Sequence, residues 1–237
     1  INQERKIEID ANKYAFLKNK VIYDDEDFLI FNKPSNYAVH SGTKNDHGLI
    51  DILRIVLKNS SLNLCHRLDK GTSGCLVVAK NQKFLSFFNN QLKQRKVKKI
   101  YHALIKDFIP EEMVIEDSID TNTKGSFNKV SINKNGKEAK SILKPLKKLD
   151  YSSLIEIEIL TGRTHQIRAQ CEKINKNIAN DKKYGCNDFN TRLKRSGIKR
   201  LGLHSSEISF LDLEYKRNTF VADYDDQFQK MLVYLDT

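Results

Sequence analysis

The sequence predicts one α+β domain, with helices flanking a mixed, largely antiparallel central sheet. Three observations carry that prediction. Strand-like and helix-like segments interleave along the whole chain, with no internal repeat and no low-complexity linker between them. Leu154-Ile155-Glu156-Ile157-Glu158-Ile159 alternates apolar and acidic residues at every step, the period of a half-buried strand. Cys75-Leu76-Val77-Val78-Ala79 is apolar without a break, as a buried strand is.

Residues 1 to about 20 are polar with scattered apolar positions, and read as a leader segment before a domain spanning 21–237. Val21-Ile22-Tyr23 and Phe28-Leu29-Ile30-Phe31, split by four acidic residues, predict a hairpin. Lys33-Pro34 ends its second strand, because proline has no amide to give to a ladder. Leu49, Ile50, Leu53, Val56 and Leu57 recur at helical spacing and predict a helix over 48–58. Phe84, Leu85, Phe88 and Leu92 predict another, and Val97 to Ile105 a strand carrying Tyr101. From about 111 to 148 the pattern weakens to short strands and Lys/Asn/Gly turns. Thr164 is placed to cap a helix whose apolar stripe is Ile167, Cys171 and Ile174. A late strand is expected over 201–210, and Phe228, Met231, Leu232 and Leu235 close the chain as a helix.

At 237 residues, 39% hydrophobic and 30% charged, the chain has the makings of an ordinary globular core. No apolar run approaches the roughly eighteen residues of a membrane span, and the first residues contain no apolar signal core. The formal net charge of +11 points to a polyanionic partner, most simply nucleic acid. Compositional drift in a Lys-, Asn- and Ile-rich sequence explains the same excess. Lys93-Gln94-Arg95-Lys96-Val97-Lys98-Lys99 and the stretch from Arg192 to Arg200 concentrate the positive charge, either as RNA contacts or as solvated helix faces. Cys65, Cys75, Cys171 and Cys186 form no C-x-x-C pair and have no histidine at zinc-ligand spacing. No metal site and no disulfide framework are expected, and a reducing, cytoplasmic compartment is.

Several chemistries lack their motifs. The chain has no G-x-G-x-x-G, no P-loop and no H-E-x-x-H. Asp120-x-Asn122-x-Lys124-Gly125 begins like a calcium loop, but Lys124 replaces an oxygen ligand and Ser131 stands where a bidentate Glu belongs. Gly71-Thr72-Ser73-Gly74 is one residue short of a nucleophile elbow.

Three polar segments sit against runs that should be core. Cys65-His66-Arg67-Leu68-Asp69-Lys70-Gly71-Thr72-Ser73-Gly74 reads as a loop at a sheet edge, with Arg67 and Asp69 on one face if extended. On residue chemistry alone it reads slightly better as a turn stapled by Asp and Ser side chains. Lys99-Ile100-Tyr101-His102-Ala103 puts Lys99 and Tyr101 on one strand face, where a tyrosine is ordinarily a half-polar core residue. Leu160-Thr161-Gly162-Arg163-Thr164-His165-Gln166-Ile167-Arg168 is a strand-to-helix passage, either an anion site or a capped helix with solvated arginines.

Taken in order, these segments resemble the motifs of the RluA-type pseudouridine synthases. His66-Arg67-Leu68-Asp69-Lys70-Gly71-Thr72-Ser73-Gly74 resembles the motif holding the catalytic Asp. Lys99-x-Tyr101-x-Ala103 resembles the one that supplies an active-site tyrosine, and Thr161 to Arg168 the one whose final Arg pairs with that carboxylate. Asp24 to His40, Asp181-Lys182-Lys183-Tyr184-Gly185 and Leu203-His204 resemble flanking stretches, so the likeness covers roughly 20–210. Within the family the likeness is greatest to the branch modifying large-subunit (23S) ribosomal RNA, whose members usually carry an N-terminal S4-like domain. On that likeness, residues 1–20 are expected to be the end of a linker.

The resemblance implies the pseudouridine synthase catalytic fold and an isomerase that detaches uracil from C1′, turns it and rejoins it through C5, with no cofactor. Asp69, Tyr101 and Arg168 are the implied catalytic residues, Asp69 either attacking the sugar or assisting glycal formation. His66, Arg67, Lys99, Arg163 and His165 are the implied RNA contacts, Arg67 either filling the space left by an extruded base or holding its phosphate. A monomer is expected, and RNA as its partner. The alternative is an inactive RNA-binding protein of the same fold in ribosome assembly; a hydrolase using Ser73 and a histidine is the weaker third.

Overall fold

The computed structural model describes residues 9–41, 47–121 and 129–236. A 3-10 helix, Ala15–Lys20, leads into the hairpin of β1 (Val21–Asp24) and β2 (Phe28–Lys33). Then come α1 (Leu49–Val56), β3 (Asn63–Leu64), β4 (Ser73–Ala79) and α2 (Gln82–Lys93). Five strands follow: β5 (Lys98–Lys106), β6 (Met113–Asp120), β7 (Ser131–Ile132), β8 (Lys137–Lys148) and β9 (Ser152–Ile159). The chain closes with α3 (Gln166–Lys173), α4 (Asn187–Lys194), β10 (Leu203–Leu211), β11 (Arg217–Val221) and α5 (Asp226–Leu235).

Among the described residues the strands form one sheet in the order β1-β2-β4-β10-β5-β9-β8-β6-β7, with β3 beside β4 and β11 beside β10. Every pairing is antiparallel except β4 with β10, which makes the sheet mixed and largely antiparallel, as the sequence predicts. That parallel contact is short and tight. A Cβ on Gly74 would lie 2.1 Å from the Ser205 carbonyl oxygen, and Gly74 has φ +105°, so only glycine fits.

Register then sets up the site. Gly74 faces Ser205, Ser205 faces Tyr101 and Tyr101 faces Ile157, so four strands share one row. The segment preceding β4, the middle of β5 and the segment following β9 are thereby brought to one region of the sheet.

One side of the sheet buries Leu53, Leu76, Ile105, Ile155 and Ile167 with the faces of α1 and α3. Leu17 of the 3-10 helix joins that cluster with no exposure, so the end of the predicted leader packs on the core. The other side stacks Phe28 on Phe84 with ring centroids 4.5 Å apart, beside Phe88 and Phe210. A third cluster holds α4 and α5 through Phe189, Leu193, Phe228 and Met231. Asp225 caps α5 by accepting from the Phe228 amide at 2.9 Å, which fixes a helix whose start the sequence left open.

The region over 111–148 departs from expectation. It is a long antiparallel pair, β6 with β8, rather than short strands and turns. Only Ala139, Ser141 and Leu143 of β8 are buried; its other positions include five lysines and Pro145, which sits at an irregularity in the pairing. The outward lysines hide the alternation. The broken calcium-loop match falls largely on 122–128, outside the described residues.

Candidate active site

The loop carrying Asp69 is held from behind. Lys33, fully buried, donates through Nζ to the carbonyls of Tyr37 (2.8 Å), Pro34 (3.0 Å) and Lys70 (3.3 Å). Burial pushes its pKa down to about 7, against the opposing pull of the Asp69 charge. Ser35 Oγ donates to the Gly71 carbonyl at 2.7 Å. Leu68 is buried in the main core, and Arg67 and Asp69 on either side of it line a recess of about 530 Å³. His66 is half-buried, its Nε2 accepting from the Val77 amide at 3.0 Å. Burial, with help from the Lys99 charge, pulls its pKa to about 4, so the ring is neutral at pH 7.

Arg168, in the first turn of α3, bridges two carboxylates. Its Nη1 lies 3.1 Å from Oδ2 of Asp69, while Nε and Nη2 grip Asp181 at 2.7 and 2.9 Å. Asp181 is wholly buried at its side chain and also accepts from the amides of Lys183 (2.8 Å) and Tyr184 (3.0 Å). Those bonds and the Arg168 charge hold its carboxyl low although burial opposes them. The guanidinium also lies 5.0 Å over the Tyr184 ring. Three constraints fix Arg168, and Asp69 is aimed against it.

Tyr101 is nearly buried and lines the same recess as Asp69, with Lys99 on its strand and Arg163 across from it. Burial raises the phenol well above its ordinary range, and the Asp69 charge adds to the effect. The hydroxyl is therefore protonated at neutral pH. Lys99 is pushed down by burial and by the Arg163 charge. Arg163 donates Nε–H to the Glu138 carbonyl at 2.8 Å, placing it at the rim beside β8.

Thr164 is not the cap of α3. His165 occupies that position in a left-handed conformation (φ 55°, ψ 19°) with no side-chain cap bond. Gln166 does the work instead: its Oε1 accepts from the Arg163 amide (3.0 Å) and the Thr161 hydroxyl (2.8 Å), and its Nε2 donates to the Lys140 carbonyl and to Ser141. The helix start is thus tied to β8. His165 itself turns Nδ1 to the Tyr184 hydroxyl at 2.9 Å and Nε2 towards Asp69 Oδ2 at 3.8 Å.

The structure therefore gathers Asp69, Tyr101, Arg168, His66, Arg67, Lys99, Arg163 and His165 around one recess. Arg200, counted in a basic block by sequence, is buried instead: it pairs with Asp225 and donates to Ser73 Oγ at 2.9 Å. Ser73 and His204 do meet, at 2.7 Å, but both are buried and outside the recess. His204 donates Nε2–H to the Ala222 carbonyl, so the pair is part of the scaffold and no substrate reaches it. Lys33 and Asp181 are site residues that sequence reasoning did not single out. The signals for them were a lysine before a strand-ending proline and an Asp two residues before a turn amide.

A family model described as RNA pseudouridylate synthase matches residues 27–173. Ribosomal large subunit pseudouridine synthase C of Buchnera aphidicola subsp. Baizongia pistaciae is 36% identical over 225 residues, covering 93% of this chain and 71% of that one. The protein of the same name from Vibrio parahaemolyticus is 37% identical over 201 residues, covering 84% and 63%. Among solved structures, human RNA Pseudouridylate Synthase Domain Containing 1 superposes with TM-score 0.73 at 26% identity, covering 86% of this chain and 83% of that one. Human RNA Pseudouridylate Synthase Domain Containing 4 shares the fold at TM-score 0.79 and 24% identity, over 95% and 96%.

Proposed function

The chain belongs to the RNA pseudouridylate synthase family, and on that premise we propose that it isomerises specific uridines of large-subunit ribosomal RNA, with Asp69 as the catalytic carboxylate. The observation that carries the assignment of Asp69 is its contact with Arg168, a cation itself fixed by a buried second carboxylate. A group that must act repeatedly at one carbon has to be held in one orientation, and misplacement by about 1 Å can cost on the order of a hundredfold.

The chemistry asks for little else. Uracil leaves C1′ and returns through C5, with no change of oxidation state and no net addition of water, so the residues need only hold the base, steady the sugar and move a proton. A carboxylate is anionic at neutral pH and can meet the electron-poor C1′. Tyr101 offers a ring to the uracil and a protonated hydroxyl beside Asp69. The target nucleotide must leave its stack to enter the recess, at a cost of a few kcal/mol. Arg67, exposed at the mouth, is the residue to occupy the vacated space or hold the phosphate. His66, Lys99, Arg163 and His165 complete the RNA-facing wall.

Large-subunit RNA as substrate rests on the names of the relatives. A monomer working in the cytoplasm fits this reading, and no helix among the described residues is long and apolar enough to cross a membrane. The experiment is tritium release from ribosomal RNA carrying 5-tritiated uridine. Release from large-subunit RNA but not small-subunit RNA is expected. Release from small-subunit or transfer RNA alone would overturn the substrate assignment.

A further inference from the structure

His165 is placed for a second task besides lining the recess. Its backbone is left-handed, a conformation uncommon outside glycine. Its imidazole lies between Tyr184 and Asp69, with Nδ1 2.9 Å from the Tyr184 hydroxyl and Nε2 3.8 Å from Asp69 Oδ2.

The proton on this ring can be located by accounting for hydrogen bonds. The Tyr184 hydroxyl accepts from the Val130 amide at 2.7 Å, which uses one lone pair. Tyr184 is 1% exposed, so its own proton is shut off from bulk solvent. Among the described residues the remaining acceptor within reach is Nδ1 of His165. If Nδ1 carried the ring proton, the buried hydroxyl proton would be left without a partner, an arrangement native interiors avoid. Tyr184 therefore donates to Nδ1. The neutral ring then carries its proton on Nε2, aimed at Asp69. Burial keeps the ring neutral, its pKa drawn down to about 4.

Both donors converge on the same oxygen. Arg168 Nη1 bonds Oδ2 of Asp69, and the His165 Nε2–H faces Oδ2 from beyond hydrogen-bond length. The other oxygen, Oδ1, makes no hydrogen bond among the described residues. The geometry points to His165 as a positioning residue: its Nε2–H, fixed by the relay from Val130 through Tyr184, closes on Oδ2 of Asp69 beside Arg168 when substrate binds and leaves Oδ1 as the oxygen presented to the sugar. This rests on Asp69 being the catalytic carboxylate. The 3.8 Å separation is the kind of contact that tightens when substrate fills a site.

Two measurements test it. Nitrogen-15 NMR of histidine-labelled protein, without substrate, should show His165 with an unprotonated Nδ1 and a protonated Nε2, and Tyr184→Phe should convert that signal to a mixture of tautomers. A protonated Nδ1 in the wild type would overturn the inference, whatever the enzyme's activity. His165→Asn keeps a residue that tolerates the left-handed backbone but is too short to reach Asp69. It should unfold at the wild-type temperature while kcat falls roughly 10- to 100-fold with KM little changed. A wild-type kcat would also overturn it. If instead Asp69→Asn retained full activity while the tautomer was as described, the catalytic reading would fail and the relay would stand as structure alone.

Discussion

Arg168 reaches Asp69 with a single nitrogen, Nη1 at 3.1 Å from Oδ2, while its other two nitrogens are taken by Asp181. The proposed catalytic carboxylate is thus held by an arginine whose position is decided elsewhere. Its contact with Asp69 and its contact with Asp181 have different jobs, and substitutions should separate them.

Arg168→Lys supplies one ammonium for two carboxylates. The lysine should stay with Asp181, which has no exposure to fall back on, and leave Asp69 unaimed. Turnover should fall roughly a hundredfold with the fold retained. Asp181→Ala should do the reverse damage first, costing about 3–5 kcal/mol in urea unfolding because a buried guanidinium loses its main partner. Equal stability of Asp181→Ala and wild type would contradict this division.

Lys33 is the second support. Lys33→Met is close in length and leaves three carbonyls, including that of Lys70 next to Asp69, without their donor. A loss of about 1–3 kcal/mol is expected, together with lower kcat at unchanged RNA affinity. Denaturation and single-turnover kinetics check the two parts. Full activity in this variant would mean that the loop holds its shape alone.

Acid should destabilise the protein before its carboxylates protonate. Burial pulls His204 from 6.5 to about 4 in the fold, where its ring is neutral between Ser73 and Ala222. Unfolded, it takes a proton near pH 6.5. The unfolded chain therefore binds more protons in between, and stability present above pH 6.5 is lost as pH falls towards about 4. The slope for this one residue approaches about 1.4 kcal/mol per pH unit. His66 and His165, also drawn down to about 4, act in the same direction. Urea midpoints measured from pH 7 to pH 4.5 should fall, and less steeply in His204→Gln.

Much of the architecture is legible in the sequence. The alternation over 154–159 and the unbroken apolar run over 75–79 gave two central strands, and the aromatic spacing from Phe84 to Leu92 gave α2. The arm of β6 and β8 was not legible, because lysines fill the outward positions of β8. Nor was the inward turn of Arg200 at the end of a basic block: burial of a cation depends on Asp225, which is 25 residues away in sequence. The α3 cap is not legible for a similar reason. Thr164 has the right chemistry, but His165 is left-handed and Gln166 takes the amide. The three polar segments looked individually like turns, a strand face and a cap. What unites them is the row Gly74–Ser205–Tyr101–Ile157, a matter of register across strands far apart in the chain. Residue chemistry does not encode that row locally, and only the ordered likeness to a family pointed to it.

The central claim is that Asp69 carries the chemistry while the surrounding basic wall carries the binding. Asp69→Asn keeps the shape and can still meet Arg168 through its amide oxygen, so it should fold and bind large-subunit ribosomal RNA as the wild type does. Tritium release from 5-tritiated uridine in that RNA measures the isomerisation directly. No release above background, with RNA affinity intact, is the predicted result; release at the wild-type rate would contradict the account.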